Sequence, residues 1–237
     1  MDDPAIGAGS WLREHPLAFV EDLEVPELDE VDYHHFSRSL RLRDGEPISV
    51  SDGRGRWRPA HLGRVVEASG PIVETDQPAW PITVAFAPVK AQRPEWIVQK
   101  LTELGVDHIV PLRTERSVVR WDADRAGRQS ERWAKTIREA AMQCRQVRLP
   151  SFDPVTDIGT MLSQYPHAAL ADPEGRPVGE SDRTLLIGPE GGWGVGERLG
   201  GELRSLPGGI LRAETASIVA AAMLVHIRKS GPFTLGG

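Results

Sequence analysis

Residues 185–194 read LLIGPEGGWG. Three aliphatic residues, Leu185, Leu186 and Ile187, run directly into Gly188, Pro189, Glu190, Gly191 and Gly192. A short apolar run bounded by turn residues predicts a buried strand, and its abrupt exit into glycine predicts a tight turn at the strand end. One glycine suffices for a turn that needs a positive φ, so the excess points to backbone left bare for close approach by another group. The familiar phosphate cradles do not match. Gly192, Gly194 and Gly196 are spaced two and two rather than as Gly-x-Gly-x-x-Gly, and no Gly-Lys-Ser/Thr follows. What remains is a strand opening on a turn, the place where open α/β sheets bind ligands.

A second stretch has the same layout. In GILRAETAS, residues 209–217, a short apolar segment is followed by Arg212, Glu214 and Thr215, just before the Ala-rich run ETASIVAAAMLVHIRK. That run predicts a helix, and Thr215 or Glu214 reads either as its cap or as half of a binding site.

Outward from these two loops, the segment from 76 to 237 alternates strand and helix. ITVAFAPV, HIVPL, HAALA and TLLIG predict buried strands, and SERWAKTIREAAMQCRQ predicts a helix. Pro94 is suited to a first helical turn, Ile97, Leu101 and Leu104 line one face, and Gly105 suits the helix end. This order implies a parallel α/β sheet. Residues 16–75 read instead as a small β-rich unit, with AFVEDLEV, EPISVSD and RPAHLGRVVEA as strands and DGRGR as a hairpin turn. GPIVETDQPAWP, from Gly70 to Pro81, reads as a linker, with Ile72 and Val73 open to continuing a strand, and residues 1–15 as an acidic tail, a candidate for disorder.

The chain has 237 residues, 40% of them hydrophobic, which is ample material for a core. It contains no run of 18 apolar residues and no basic start followed by an apolar stretch, so neither a membrane partner nor a signal peptide is expected, and the cytoplasm is the expected compartment. Cys144 is the only cysteine, which excludes an internal disulfide and a Cys-rich metal site. His34 and His35 lack further ligands at metal spacing, so no metal is expected.

The net charge of −6 is unevenly placed. Residues 1–32 carry ten acids and one arginine, a net of −9, which leaves +3 for the remainder. Between Tyr33 and Arg64, Arg38, Arg41, Arg43 and Arg54 are among seven arginines interleaved with histidine and Trp57. Such a face suits a phosphate backbone, although a solvated surface of a small β-domain is an equal reading on charge alone.

LLIGPEGGW and LRAETA resemble the paired signatures of the SPOUT methyltransferases, in particular the RsmE-type enzymes that methylate uracil N3 in small-subunit ribosomal RNA. HHFSRSLRLRDGEPISVSDGRG is similar to that family's N-terminal segment, and KAQRPEWIVQKLTELGVDHIVPLRTERSVV and RWAKTIREAAMQCRQVRLP are similar to its catalytic-domain segments. The resemblance implies an α/β fold with an N-terminal PUA-like RNA-binding β-barrel, 16–75, and a C-terminal SPOUT domain, 76–237, with a deep trefoil knot. It implies S-adenosyl-L-methionine as cofactor, ribosomal RNA or the small ribosomal subunit as partner, and a homodimer. Cofactor contacts are then expected from Leu170, Ala171 and Asp172, from Gly188, Pro189, Glu190, Gly191 and Gly192, and from Leu211, Arg212, Glu214, Thr215 and Ala216. RNA contacts are expected from His34, His35, Arg38, Arg41, Arg43, Arg54, Lys90, Arg93, Lys100, Arg116, Arg145 and Arg148.

Uracil N3 carries a proton and is a poor nucleophile until that proton is removed or shared, so a base or electrostatic helper is required. Glu214 or Glu190 is the expected proton acceptor, with Arg212 stabilising negative charge on the uracil oxygens. Cys144, the one residue suited to carbon methylation through a covalent intermediate, falls on a helix where an inert thiol is the better reading. Two alternatives stay open: a SPOUT enzyme on another RNA target, such as a transfer-RNA ribose 2′-hydroxyl, and a non-catalytic RNA-binding protein. Three departures from the family pattern stand out: Ala213 for threonine or valine, Ala91 for glycine, and WGVGERLGGEL for the frequent Phe-Ser/Thr-x-x-Glu segment.

Overall fold

The computed structural model describes residues 4–88, 94–117, 123–165 and 167–230. The chain divides into two units, Met1–Gln77 with Arg138–Leu149, and Pro78–Ile137 with Pro150–Gly237.

The first unit contains α1 (Pro4–Glu14), β1 (Leu17–Phe19), α2 (Glu30–His34) running into a π-helical turn (His35–Ser39), β2 (Pro47–Ser51), β3 (Arg56–His61), β4 (Glu67–Ala68) and β5 (Val73–Glu74). Its sheet runs β1-β2-β3-β4, with β5 also on β3, and only the β1–β2 pair is parallel. The hairpin expected at DGRGR joins β2 to β3. Gly53 (φ +71°) and Gly55 (φ +101°) take the left-handed conformations, and Asp52 accepts from the amides of Arg54 and Arg56. The helices are a departure from the strand-and-turn reading. Residues 4–14, expected as a tail, form α1, whose Trp11 indole donates to the Ile48 carbonyl at 3.1 Å. AFVEDLEV, residues 18–25, yields only two strand residues, Ala18 and Phe19 of β1. Phe36, Ile48, Val50, Trp57 and Ala60 are buried in this unit's core together with Ala141, Met142 and Val147.

The second unit contains β6 (Thr83–Phe86), α3 (Pro94–Leu104), β7 (His108–Arg113), α4 (Ala123–Cys144, of which residues 138–144 belong to the first unit), β8 (Ser151–Phe152), β9 (Thr156–Asp157), α5 (Ile158–Gln164), β10 (Ala169–Pro177), β11 (Thr184–Ile187), α6 (Val195–Leu199), β12 (Glu202–Ser205) and α7 (Ala213–Ser230). The sheet is wholly parallel in the order β12-β10-β11-β6-β7-β8, with β9 also on β7. All four residues of β6 and of β11 are buried, as a strand covered on both faces requires. α7 packs on α3, β6 and β11. Ile158 and Met161 of α5 join Ala85, Val110, Leu170 and Leu186 in one cluster. Gly105 ends α3 with φ +88°, as its position after the apolar stripe predicts.

Candidate cofactor site

A bulge within β10 and the segments following β11 and β12 enclose a cavity of about 510 Å³, the size of small-molecule sites in general. Ala171, Asp172 and Pro173 form one wall, Ile187 to Glu190 with Gly192 and Trp193 a second, and Ser205 to Leu211 a third, closed by Ala213 and Ala216 of α7.

Each wall has a local cause. In β10, Ala171 and Arg176 both register with Arg204, so the intervening residues bulge out of the strand. The bulge is held by Arg198, whose Nε and Nη2 donate to Asp172 at 3.0 and 3.1 Å and which also pairs with Glu174. In the glycine turn, Gly192 adopts φ +70° and its amide donates to the Pro189 carbonyl at 2.8 Å. Gly188 lies against the Trp193 indole, where a Cβ would stand 3.0 Å from Cε2. That indole is 7% exposed, and its Nε1 donates to the Ala171 carbonyl at 2.9 Å, tying the second wall to the first. Gly191 has neither a positive φ nor a crowding neighbour, since a Cβ there would come no nearer than 3.7 Å to Arg116. In the third loop Gly208 takes φ +100°.

Of the residues expected to hold a cofactor, Ala171, Asp172, Gly188, Pro189, Glu190, Gly192, Leu211 and Ala216 line the cavity. Leu170 is fully buried in the apolar cluster behind it, Gly191 is an exposed residue of the turn, and Arg212 and Thr215 are exposed at the start of α7. Glu190 is exposed on the rim. Glu214 differs from every other acid near the site. It is 8% exposed, lies in the first turn of α7, and its Oε2 is buried without a hydrogen-bond partner. A carboxylate removed from water without a partner is costly, and such groups in native proteins call for an explanation.

The expected RNA-facing residues divide into four groups. His34, His35, Arg38, Arg41, Arg43 and Arg54 are exposed on the first unit, with Arg41 in the left-handed region at φ +58°. Arg145 and Arg148 of the same unit are engaged internally. Arg145 (φ +63°) turns back to donate to the carbonyls of Met142 and Gln143 at the end of α4, where burial lowers its pKa. Arg148 lies over Gly55, where a Cβ would meet its guanidinium at 2.2 Å, and donates to the Thr75 carbonyl. In the second unit Lys100 is paired with Glu103 at 2.8 Å, and Arg116 donates to the Gly191 carbonyl at 2.8 Å. Lys90 and Arg93, with Ala91, lie outside the described residues. Cys144 is the last residue of α4.

The sequence reading missed Trp193 as the link between two walls, Arg198 as the clamp on the bulge, and the whole of Ser205–Ile210. The signal for that third wall was weak: β12 is only four residues with one buried side chain, and it lacks an apolar run.

The cavity lies within the stretch, residues 75–225, that matches a family described as an RNA methyltransferase domain. The chain is 30% identical to ribosomal RNA small subunit methyltransferase E of a Synechocystis species, over 83% of this chain and 71% of that one. It is 29% identical to the protein of the same name from Bacillus subtilis, over 81% and 86%. A crystal structure of ribosomal RNA small subunit methyltransferase E from Neisseria gonorrhoeae, bound to S-adenosyl methionine, superposes with a TM-score of 0.77 at 25% identity, covering 89% of this chain and 97% of that one. The chain belongs to the RNA methyltransferase family, and within it to the RsmE group that its sequence motifs resemble.

Proposed function

We propose that the protein transfers a methyl group from S-adenosyl-L-methionine to N3 of a uridine in 16S ribosomal RNA. The observation that carries this reading is the three-walled cavity formed by residues of β10 and the segments after β11 and β12, together with the buried, unpartnered Oε2 of Glu214, which lies in sequence between the lining residues Ala213 and Ala216. The named relatives act on small-subunit ribosomal RNA, and the Neisseria protein holds S-adenosyl methionine.

The residues present fit that cofactor. Ile187, Leu206 and Leu211 offer apolar surface for a planar base, while the bare backbone at Gly188, Gly192, Gly208 and Gly209 offers amides and carbonyls without intervening side chains. When bound, S-adenosylmethionine supplies an electrophilic methyl group. The chain's own task is to make N3 nucleophilic. Glu214 accepts the N3 proton, and Arg212, exposed two residues before it, stabilises the negative charge that spreads onto the uracil oxygens. Glu190 on the rim is the second candidate for the proton. Because N3 lies on the pairing edge of the base, the target uridine is unpaired or turned out of its stack when it reacts.

The exposed His34, His35, Arg38, Arg41, Arg43 and Arg54 make the first unit, read as a PUA-like barrel, the RNA grip. The deep trefoil knot is supported by the strand order. β12 lies outside β10, yet the chain that follows it returns to pack α7 on β6 and β11, as a knotted connection would require. A homodimer, which the resemblance to the family implies, is part of this reading. The cytoplasm, where ribosomal subunits are made, is the compartment this reading requires.

The test is incubation with isotopically labelled S-adenosylmethionine and unmodified small subunits, followed by nucleoside digestion and mass spectrometry. Labelled 3-methyluridine is the expected product. A labelled ribose-methylated nucleoside would move the target, and cofactor binding without transfer to any RNA would leave a binding protein.

A further inference from the structure

Glu197 stands in the first turn of α6, behind the glycine turn and outside the cavity lining. Both of its carboxylate oxygens accept from backbone. Oε2 takes the amide of Gly194 at 2.7 Å, and Oε1 takes the amide of Glu115 at 2.6 Å. The first bond fixes the end of the turn that supplies Glu190, Gly192 and Trp193 to the cavity. The second ties that end to the loop following β7. From the same loop, the Arg116 guanidinium donates to the Gly191 carbonyl at 2.8 Å.

The β7 loop is stiff enough to act as an anchor. The Thr114 amide donates to Ser117 Oγ at 2.9 Å, the Ser117 amide donates to the Thr114 carbonyl at 3.1 Å, and the two hydroxyls meet at 2.8 Å. Gly194 packs against the Glu115 side chain, where a Cβ would stand 1.8 Å from Oε2 and 3.2 Å from the Glu115 Cβ. A serine or threonine at 194 would cap α6 with its own hydroxyl. With glycine in that place, Glu197 is the side chain that satisfies the end of the turn.

We infer that Glu197 is a positioning residue, which holds the glycine turn in its cofactor-binding shape by anchoring it to the β7 loop. This rests on the reading that the cavity takes S-adenosylmethionine. A protein whose competent conformation is only fractionally populated binds its ligand more weakly by that fraction, and saturating ligand restores the conformation. Loss of the anchor therefore acts on cofactor affinity and leaves turnover at saturation nearly unchanged. Alanine at 197 frees both amides. Glutamine keeps one acceptor oxygen and loses the other, because its NH₂ only donates.

The experiment titrates S-adenosylmethionine into the wild-type chain, Glu197→Ala and Glu197→Gln, with KM and kcat for methyl transfer, thermal midpoints, and hydrogen exchange at the Gly194 and Glu115 amides. The alanine variant is expected to raise Kd and KM for the cofactor about tenfold, as for one lost charge-assisted hydrogen bond, with glutamine between it and the wild type. kcat stays within about twofold, and both amides exchange faster. Wild-type affinity and wild-type amide protection in Glu197→Ala would overturn the inference, as would a fall in kcat at unchanged KM. A lowered thermal midpoint with unaltered cofactor affinity would reduce Glu197 to a structural role and overturn it too. If the wild-type chain fails to bind S-adenosylmethionine, the reading of the cavity is wrong, and the positioning role falls with it.

Discussion

The two ends of the parallel sheet are built on opposite rules. At the N-terminal end, polar groups are paired off. Arg228, near the end of α7, salt-bridges Asp107 and donates to the carbonyls of Gly105 at 2.9 Å and Trp80 at 3.2 Å. Asp107 in turn accepts the Ile82 amide at 2.8 Å, Arg183 stacks on the Trp80 ring at 3.8 Å, and Tyr165 bonds His108 at 2.6 Å. At the C-terminal end, Arg198, Trp193, Arg116 and Glu197 tie the loops to one another, but the loops surround a cavity lined by glycine backbone, and Glu214 is buried with an unpartnered oxygen. The same helix, α7, has both conditions at its two ends. One end of the sheet is organised for stability and the other for a ligand.

Substitutions at the two ends should therefore separate activity from stability. The largest effect is expected at the cavity end: Glu214→Gln and Arg212→Ala each lower kcat for methyl transfer by about 10²-fold or more while cofactor binding, followed by calorimetry, is kept. Full activity in both variants would erase the proposed chemistry. At the opposite end, Arg228→Ala leaves Asp107 and two carbonyls without their donor, and should cost about 2–3 kcal/mol of stability in denaturant titration with activity per folded molecule unchanged. Gly188→Ala sharpens the comparison from the cavity side. The added Cβ presses on the Trp193 indole, and a cost of about 1–2 kcal/mol should be accompanied by weaker cofactor binding, which Arg228→Ala does not share.

The smallest effect is expected at Asp157, which caps α5 outside the cavity. Its side chain accepts from the amide and hydroxyl of Thr160, and these bonds hold its carboxyl below the usual range. Asp157→Ala should cost about 1 kcal/mol at neutral pH. Because the folded pKa is lowered, the cap's contribution is present above the unfolded value near 3.8 and is lost as pH falls through the folded one. The variant and the wild type should thus converge in acid, a pattern read from thermal midpoints across pH.

How much of this was legible in the sequence depends on the range of the interaction. Local signals carried far: the aliphatic runs gave β6, β7 and β11, Pro94 and Gly105 bracketed α3, and the Ala-rich segment gave α7. The glycine loop reached the cavity because it follows β11 directly, whereas the LRAETA loop is separated from β12 by residues 206–210 and reaches the cavity at the start of α7. Long-range pairing was not legible. β12 has a single buried residue and is defined by its pairing with β10, so Ser205–Ile210 gave no sign of forming a wall. Gly188 is required by an indole five residues on as well as by its place in the cavity lining, whereas Gly191 has no crowding neighbour among the described residues. Arg145 and Arg148 read as basic surface in a one-dimensional charge count, but a left-handed backbone at one and a facing glycine at the other turn them inward.

On this division of the sheet, ligand binding belongs to its C-terminal end alone. Hydrogen exchange with and without S-adenosylmethionine tests it most directly. The predicted result is added protection at the amides of Gly188–Trp193 and of the Leu206–Leu211 loop, with none at Ile82, Asp107 or His108. Protection centred on those N-terminal positions, or spread evenly over the sheet, would contradict it.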